Sequence, residues 1–345
     1  MVVLPAHDEA DRIARVLASL ANQSGYGPAR PLPVLLFANN CRDGTVEAAE
    51  SLAASPAGAS LALTVTTAEL PPHEAHVGTA RRQAMDCAAE RIGPSGVLLS
   101  TDADAWLPPS WVAANLAALA DAEIVGGRLV IDTVSTDPLR LALHAKIERY
   151  WAQVRAIEDR LDSPAHDPAP RHGDHTGASL ALRVATYRAV GGLPALPRGE
   201  DNALVGRVVE AGGRLRHDPA VAVWVSDRSV GRADGGMATD MARRQAVLDG
   251  EDPYLLPAPA HWQRIVARRS ALRAAWREGA KAATMALVRL GLGTESVAAV
   301  AVPTCPNAIA FVERAHRQLE RLDPPAPVLP LDDALTRFPY PGARI

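Results

Sequence analysis

The chain has 345 residues, of which 48% are hydrophobic and 22% charged, with a formal net charge of −3. This balance excludes a disordered chain and gives no global signal for nucleic acid. Cys41, Cys87 and Cys305 form no CxxC pair, the first residues carry no secretory leader, and no apolar run reaches about 18 residues; together these predict a cytoplasmic protein without a disulfide framework or a spanning helix.

The first half alternates strand-like and helix-like runs. "VVLP" precedes "DEADRIARVLASLA", "PVLLFANN" precedes "GTVEAAESLAA", "SLALTVTT" precedes "VGTARRQAMDCAAERI", and "GVLLSTD" precedes "SWVAANLAALAD". Ile13, Val16, Leu17 and Leu20 keep the i, i+3, i+4 spacing of one helix face. Such alternation predicts a mostly parallel sheet with helices on both faces, and ligands there bind outside the carboxyl ends of the strands. Residues 137–161 place Leu143, Ile147, Tyr150, Val154, Ile157 and Leu161 on one stripe of a long helix. The Pro-, Gly- and His-rich loop "DSPAHDPAPRHGDHTG" follows, then strands in "SLALRV", "RLRHD" and "AVAVWV" with a helix near 202–212 between the first two. From about 237 the chain reads as helical and basic, and the Pro-rich end "PPAPVLPLDDALTRFPYPGARI" reads as a strap or a partly disordered tail.

The chemistry-bearing residues fall at the strand ends. "LLSTDADAW" ends the fourth strand in Asp102 and Asp104. A strand that runs into a turn can bring one carboxylate to a hard cation such as Mg2+ or Mn2+ and leave the other beside a ligand hydroxyl. The competing reading is a solvated acidic turn. A haloacid-dehalogenase-type phosphotransferase is disfavoured, because its aspartate pair follows the first strand and here the pair follows the fourth and leads into Trp106. After strand one, Glu9 and Asp11 suit the first turn of a helix, and no glycine-rich dinucleotide loop is present. Asn39, Asn40 and Asp43 can make a turn and cap the next helix, or meet a base or ribose edge. Arg81 and Arg82 stand beside Gly78 near a helix start, as a solvated face or as partners for a pyrophosphate.

Taken in order, "LPAHDEADRI", "FANNCRDGT", "VGTARRQA", "LLSTDADAWLPPSW", "GASLALRVATYRAVGG" and "GEDNAL" resemble a family 2 glycosyltransferase over about residues 1–230. The resemblance implies a GT-A-type α/β/α sandwich with a mostly parallel central sheet and a C-terminal helical extension. It divides the chain into a GT-A domain over 1–236 (nucleotide-binding half 1–132, acceptor half 133–236) and an extension over 237–345. It further implies a metal-dependent transfer of a hexosyl group from a nucleotide-diphosphate sugar to a hydroxyl acceptor, with inversion. Pro5, Ala6, Glu9, Asn39, Arg81 and Asp102 would lie around the donor. Asp104 would bind Mg2+ or Mn2+ on the diphosphate. Asp201 would be the base on the acceptor side, with Glu200 beside it. Asp8 stands where the family has Asn, and Ala38 or Asn39 where it has an acid. Asp227 takes the place of a late metal-binding histidine, with His217 as the competing candidate, and Arg228 and Arg232 sit in a glycine-rich loop that could close over the diphosphate.

Other readings remain open at this level. A non-catalytic sugar-nucleotide-binding protein would keep the fold without the chemistry, and a nucleotidyltransferase would need a glycine-rich loop where this chain has "AHDEAD". His166, His172 and His175 match no usual zinc spacing. Arg264, Arg268, Arg269, Arg273, Arg277 and Lys281 would suit an anionic membrane surface, which would make the protein peripheral on the inner membrane face, or an anionic acceptor, or a plain solvated face. Trp262 and Trp276 fit a core or a membrane interface. No nucleic-acid partner is expected, and a homo-oligomer is compatible with the sequence.

Overall fold

The alternation along the first half does become strand and helix. The computed structural model describes residues 1–132, 137–227 and 237–339. In chain order its elements are β1 (Val2–Ala6), α1 (Ala10–Ala21), β2 (Leu32–Asn39), α2 (Thr45–Ala54), β3 (Leu61–Ala68), α3 (Val77–Ile92), β4 (Val97–Ser100), α4 (Trp111–Ala118), β5 (Ile124–Gly126), β6 (Arg128–Asp132), α5 (Pro138–Leu161), β7 (Leu180–Arg183), α6 (Val184–Ala189), α7 (Glu200–Glu210), β8 (Leu215–Arg216), β9 (Ala222–Ser226), α8 (Met237–Leu248), β10 (Leu255–Pro257), α9 (Pro259–Arg277), α10 (Ala280–Arg289), α11 (Thr294–Val300), α12 (Ala308–Glu320), β11 (Val328–Pro330) and α13 (Leu331–Thr336). The chain divides into two units. The first comprises Met1–Thr133, His172–Val208 and Leu215–Thr239; the second comprises Val134–Arg171, Val209–Arg214 and Asp240–Ile345.

The first unit is built on a seven-stranded sheet of order β3-β2-β1-β4-β7-β5-β8. β1 pairs parallel with both β2 and β4, while β7 runs antiparallel between β4 and β5. Alternate residues of the central strands fill two separate cores. Val2, Leu4, Val34, Leu36 and Leu99 meet Ile13, Val16, Leu17 and Leu20 of α1 and Trp111 and Val112 of α4. Val3, Leu35, Phe37, Leu98, Leu180 and Leu182 meet Ala80, Ala84 and Met85 of α3, Val184 and Tyr187 of α6, and Leu204, Val205 and Val208 of α7. A strand covered on both faces has no polar side to alternate with, which is why these runs read as continuously apolar. Each fully buried aliphatic side chain contributes about 1.5–3 kcal/mol, so the two layers dominate the stability of this unit. A second, two-stranded parallel sheet joins β6 to β9.

In the second unit, the α5 stripe is buried at Leu143, Ile147, Tyr150, Val154 and Ile157, against Tyr254, Leu256, Val266, Leu331, Ala334 and Phe338. Leu161, the last position of the sequence pattern, is exposed. Up to residue 339, the Pro-rich C-terminal run supplies β11, which pairs antiparallel with β10, and α13, whose Leu331 and Ala334 enter this core. A separate core gathers Leu272 of α9, Leu287 of α10 and Phe311 and Val312 of α12, with Trp276 stacked on Phe311 at 5.3 Å between ring centroids.

Candidate active site

The site lies in the first unit, at the carboxyl ends of β1, β2 and β4. Pro5 and Ala6 are the buried last residues of β1, in register with Phe37 and Ala38. Just beyond, Asp8 adopts a left-handed φ of 53°. Its carboxylate accepts the backbone N–H groups of Arg42 (2.6 Å) and Asp43 (3.3 Å). Asp43 returns the contact by accepting the N–H of Ala10 (3.0 Å) and that of Thr45 (3.0 Å). The two acids therefore stitch the loop after β1 to the loop after β2, which explains an Asp at position 8 without any ligand. Glu9 is buried, donates its backbone N–H to the Thr45 hydroxyl at 2.8 Å, and pairs with Arg12 at 3.7 Å. Asn39 is buried at the end of β2 and its carbonyl meets the His7 ring at 2.9 Å.

The loop after β4 is a tight turn, with the Ala105 N–H donated to the Asp102 carbonyl at 3.2 Å. Ala103 and Ala105 are buried while Asp102 and Asp104 are half-buried between them. Trp106 then exchanges two backbone hydrogen bonds of 2.9 Å with Trp224 of β9, and their rings meet edge to face at 4.9 Å. Asp104 lies two residues before that crossing and Asp227 three residues after it, so one backbone anchor positions both candidate metal ligands. Arg228 and Arg232 lie outside the described residues.

Arg81, on the first turns of α3, is not an open cation awaiting a pyrophosphate. It is 3% exposed, and every donor nitrogen has an acceptor. Nε donates to Glu200 (3.2 Å), Nη1 to the Ser100 hydroxyl (2.7 Å) and the Gly177 carbonyl (2.9 Å), and Nη2 to Asp102 (2.7 Å). Burial works against its charge, but Asp102 and Glu200 outweigh burial and raise its pKa above the ordinary value. Glu200 and Asp201 open α7, directly after Gly199, whose φ of 70° turns the chain into the helix. Glu200 is buried, and burial pushes its carboxyl above the usual value although Arg81 pulls it down. Asp201 is half-buried, and its carboxylate accepts the N–H groups of Gly177 (2.9 Å) and Asn202 (2.7 Å). The structure thus brings Arg81, Asp102, Glu200 and Asp201 into one contiguous constellation. Sequence reasoning missed Ser100 and Gly177, the two residues that join its halves. Gly177 stood in the quoted "GASLAL" run, but nothing local marks what it packs against.

The histidines separate. His166 belongs to the second unit, where burial lowers its pKa. His172, His175 and His217 gather in the first, with His175 Nδ1 and His217 Nε2 at 3.1 Å and the His172 and His217 rings at 5.4 Å. Among the described residues, the only three metal-ligand types with atoms within 4.8 Å of one another are Asp8, Cys41 and Asp43. The three histidines do not form such a group.

The basic run of α9 is largely spent inside the second unit. Arg264 and Arg268 bind Asp323 (2.8 and 2.9 Å), Arg269 binds Glu313, and Arg273 holds both oxygens of Asp162 (2.8 and 2.9 Å). This corrects the reading of that helix as a free cationic face. No helix among the described residues is long and apolar enough to cross a membrane.

Comparison with known proteins agrees with the geometry. Residues 1–171 match the family model described as glycosyl transferase family 2. These residues, just under half of the chain, support a family 2 glycosyltransferase. The fold is of the GT-A type. Among solved structures, it is similar to the mannosyltransferase PcManGT from Pyrobaculum calidifontis in complex with GDP-Man and Mn2+, with 18% identity, 94% of this chain and 87% of that chain covered, and a TM-score of 0.50. Another match is S. aureus TarS 1-349 in complex with UDP-GlcNAc, with 13% identity, 93% and 90% coverage and a TM-score of 0.47. At these identities the likeness is one of fold. No curated protein matches this glycosyltransferase in sequence.

Proposed function

We propose that this glycosyltransferase moves a hexosyl group from a nucleotide-diphosphate sugar to a hydroxyl acceptor, with inversion at the anomeric carbon and with Mg2+ or Mn2+ as cofactor. The observation that supports this reading is the half-buried Asp201 carboxylate, held by the Gly177 N–H in the same constellation that holds Asp102 on Arg81. Asp201 takes the proton of the acceptor hydroxyl. The acceptor oxygen then attacks the anomeric carbon, and the bond from that carbon to the diphosphate oxygen breaks. One base acting from the side opposite the leaving group gives inversion. Asp102 hydrogen-bonds a donor hydroxyl, and the strand ends at Pro5, Ala6, Glu9 and Asn39 border the nucleoside. Arg228 and Arg232 are assigned to the diphosphate.

The carboxylates of Asp104 and Asp227 are hard oxygen donors of the kind such cations prefer. No three of the described acids around them converge as ligands, so the protein would supply one or two ligands, with the diphosphate and water completing the set. When bound, the ion neutralises charge on the departing diphosphate.

A thermal-shift screen of GDP, UDP, GDP-mannose and UDP-GlcNAc, with and without Mn2+, tests the reading. Mn2+-dependent stabilisation by at least one of them, lost in Asp104→Ala, is expected. No such stabilisation by any of the four would overturn it.

A further inference from the structure

The site has a joint that its assigned roles do not use. Arg81 is one guanidinium shared by two carboxylates from different elements: Asp102 beyond β4 and Glu200 at the start of α7. The same guanidinium holds the Gly177 carbonyl at 2.9 Å, and the Gly177 N–H holds Asp201 at 2.9 Å. Ser100 closes the figure, accepting from Arg81 at 2.7 Å and donating to the Gly177 carbonyl at 3.0 Å. Gly177 is thereby fixed at both of its backbone polar groups, one facing Arg81 and the other Asp201. A Cβ at position 177 would lie 2.4 Å from Arg81 Cζ, so the guanidinium lies where any side chain there would begin.

We infer that Arg81 is a positioning residue, which sets Asp201 for the acceptor through Gly177 while it holds Asp102 for the donor. The inference rests on the proposed transfer reaction. Its physical basis is the fork geometry of arginine: Nε, Nη1 and Nη2 point in three fixed directions, and each reaches a different acceptor here. A lysine would carry the same charge on one atom and could not span Glu200, Gly177 and Asp102 together. Buried ion pairs of this kind are costly to break and not strongly stabilising to keep, so one that links donor and acceptor carboxylates is better explained by geometry than by stability. The single positive charge also offsets the repulsion among Asp102, Glu200 and Asp201, which would otherwise drive them apart.

The test uses the full chain with Arg81→Lys, Ser100→Ala and, as a control on the same helix, Arg91→Ala. Arg91 is exposed in the last turn of α3, at the far end of the helix from Arg81. Two readouts are taken: release of nucleoside diphosphate from GDP-mannose or UDP-GlcNAc with Mn2+, and amide hydrogen exchange of Gly177. Folded Arg81→Lys is expected to lose about 10²-fold in kcat with the donor KM within about threefold, the signature of misplaced rather than absent groups. Ser100→Ala, which keeps the ion pairs and therefore its fold, is expected to lose about tenfold in kcat. In both, the Gly177 amide exchanges faster by about tenfold while the strands keep their protection, and Arg91→Ala changes neither readout. A purely structural role would lower the melting temperature and leave kcat and the Gly177 amide as they are; that result in Ser100→Ala or in folded Arg81→Lys overturns the inference. If the wild-type protein turns over neither sugar nucleotide, the donor reading is what has failed, and the exchange of Gly177 still decides the coupling.

Discussion

The arginines of α9 and Arg81 of α3 both meet carboxylates, and they do so to different ends. Along α9 the pairing is local in purpose: Arg273 and Asp162 form a two-pronged pair, Arg269 meets Glu313, and Arg264 shares Asp323 with Arg268. Each carboxylate there is consumed by its arginine. At Arg81 the stoichiometry is inverted, with one guanidinium serving Asp102 and Glu200, and Asp102 still about one-third open to solvent. A buried ion pair is thus no sign of function by itself. Nor is sharing by itself, since Arg171 holds Glu158, Asp159 and Asp167; the informative feature at Arg81 is a partly open carboxylate, oriented by its partner, directly beyond the end of a central strand.

The largest effect expected is at the open carboxylates. Asp201→Asn should lower turnover by about 10³-fold with no loss of fold, read as nucleoside-diphosphate release and a melting curve. Retention of activity in this variant would collapse the distinction between the two regions. Next in size, Arg273→Met leaves Asp162 (side chain 9% exposed) without its two-pronged partner and should cost about 3–5 kcal/mol in urea unfolding. Turnover per folded molecule should not change; a matching loss of kcat would mean that α9 is part of the chemistry.

The regions should also respond to pH with opposite sign. Burial opposes the charge of Glu313, but Arg269 outweighs it and holds the carboxyl below its ordinary 4.5, so its contribution is present above that value and is lost as pH falls through the lowered one. Glu200 is raised by burial above 4.5, so the unfolded chain releases its proton first and stability is lost as pH rises past that value. Urea titrations of wild type, Glu313→Gln and Glu200→Gln between pH 3 and 7 are expected to show wild type gaining on the first variant and losing to the second as pH increases. Parallel curves would remove this contrast. Smallest of all, Arg42→Ala breaks a pair whose side chains are 73% and 63% exposed and should leave the melting curve unmoved.

What could be read in advance follows from the range of the signal. The buried faces of α1 and α5 were visible because helix periodicity is local, and the placement of Asp102 and Asp104 at a strand end needed only the run that precedes them. The antiparallel insertion of β7 was not visible, since a four-residue apolar strand carries no mark of its direction. Nor was the fate of the α9 arginines, because Asp162 lies 111 residues from Arg273 and Glu313 lies 44 from Arg269. The Arg81 constellation was half visible: its residues stood inside quoted motifs, but the contacts among them join positions 96 and 119 residues apart. A pattern within one window cannot show which distant carboxylate will meet which arginine.

That sequence separation bears on how the protein is made. β4 finds β7 only when Ser100 reaches Leu180, and Arg81 meets Glu200 only after the intervening 118 residues have been synthesised and threaded into place. Until then a ribosome-bound chain that has finished its first 171 residues holds α3 with the acceptor-side partners of its arginine missing. Closing so long a loop is slow and comes late. The carboxylates around Arg81 should therefore be the last part of the first unit to lock, and a chain truncated at the end of its family-matching segment should be a sticky, chaperone-dependent intermediate rather than a small enzyme.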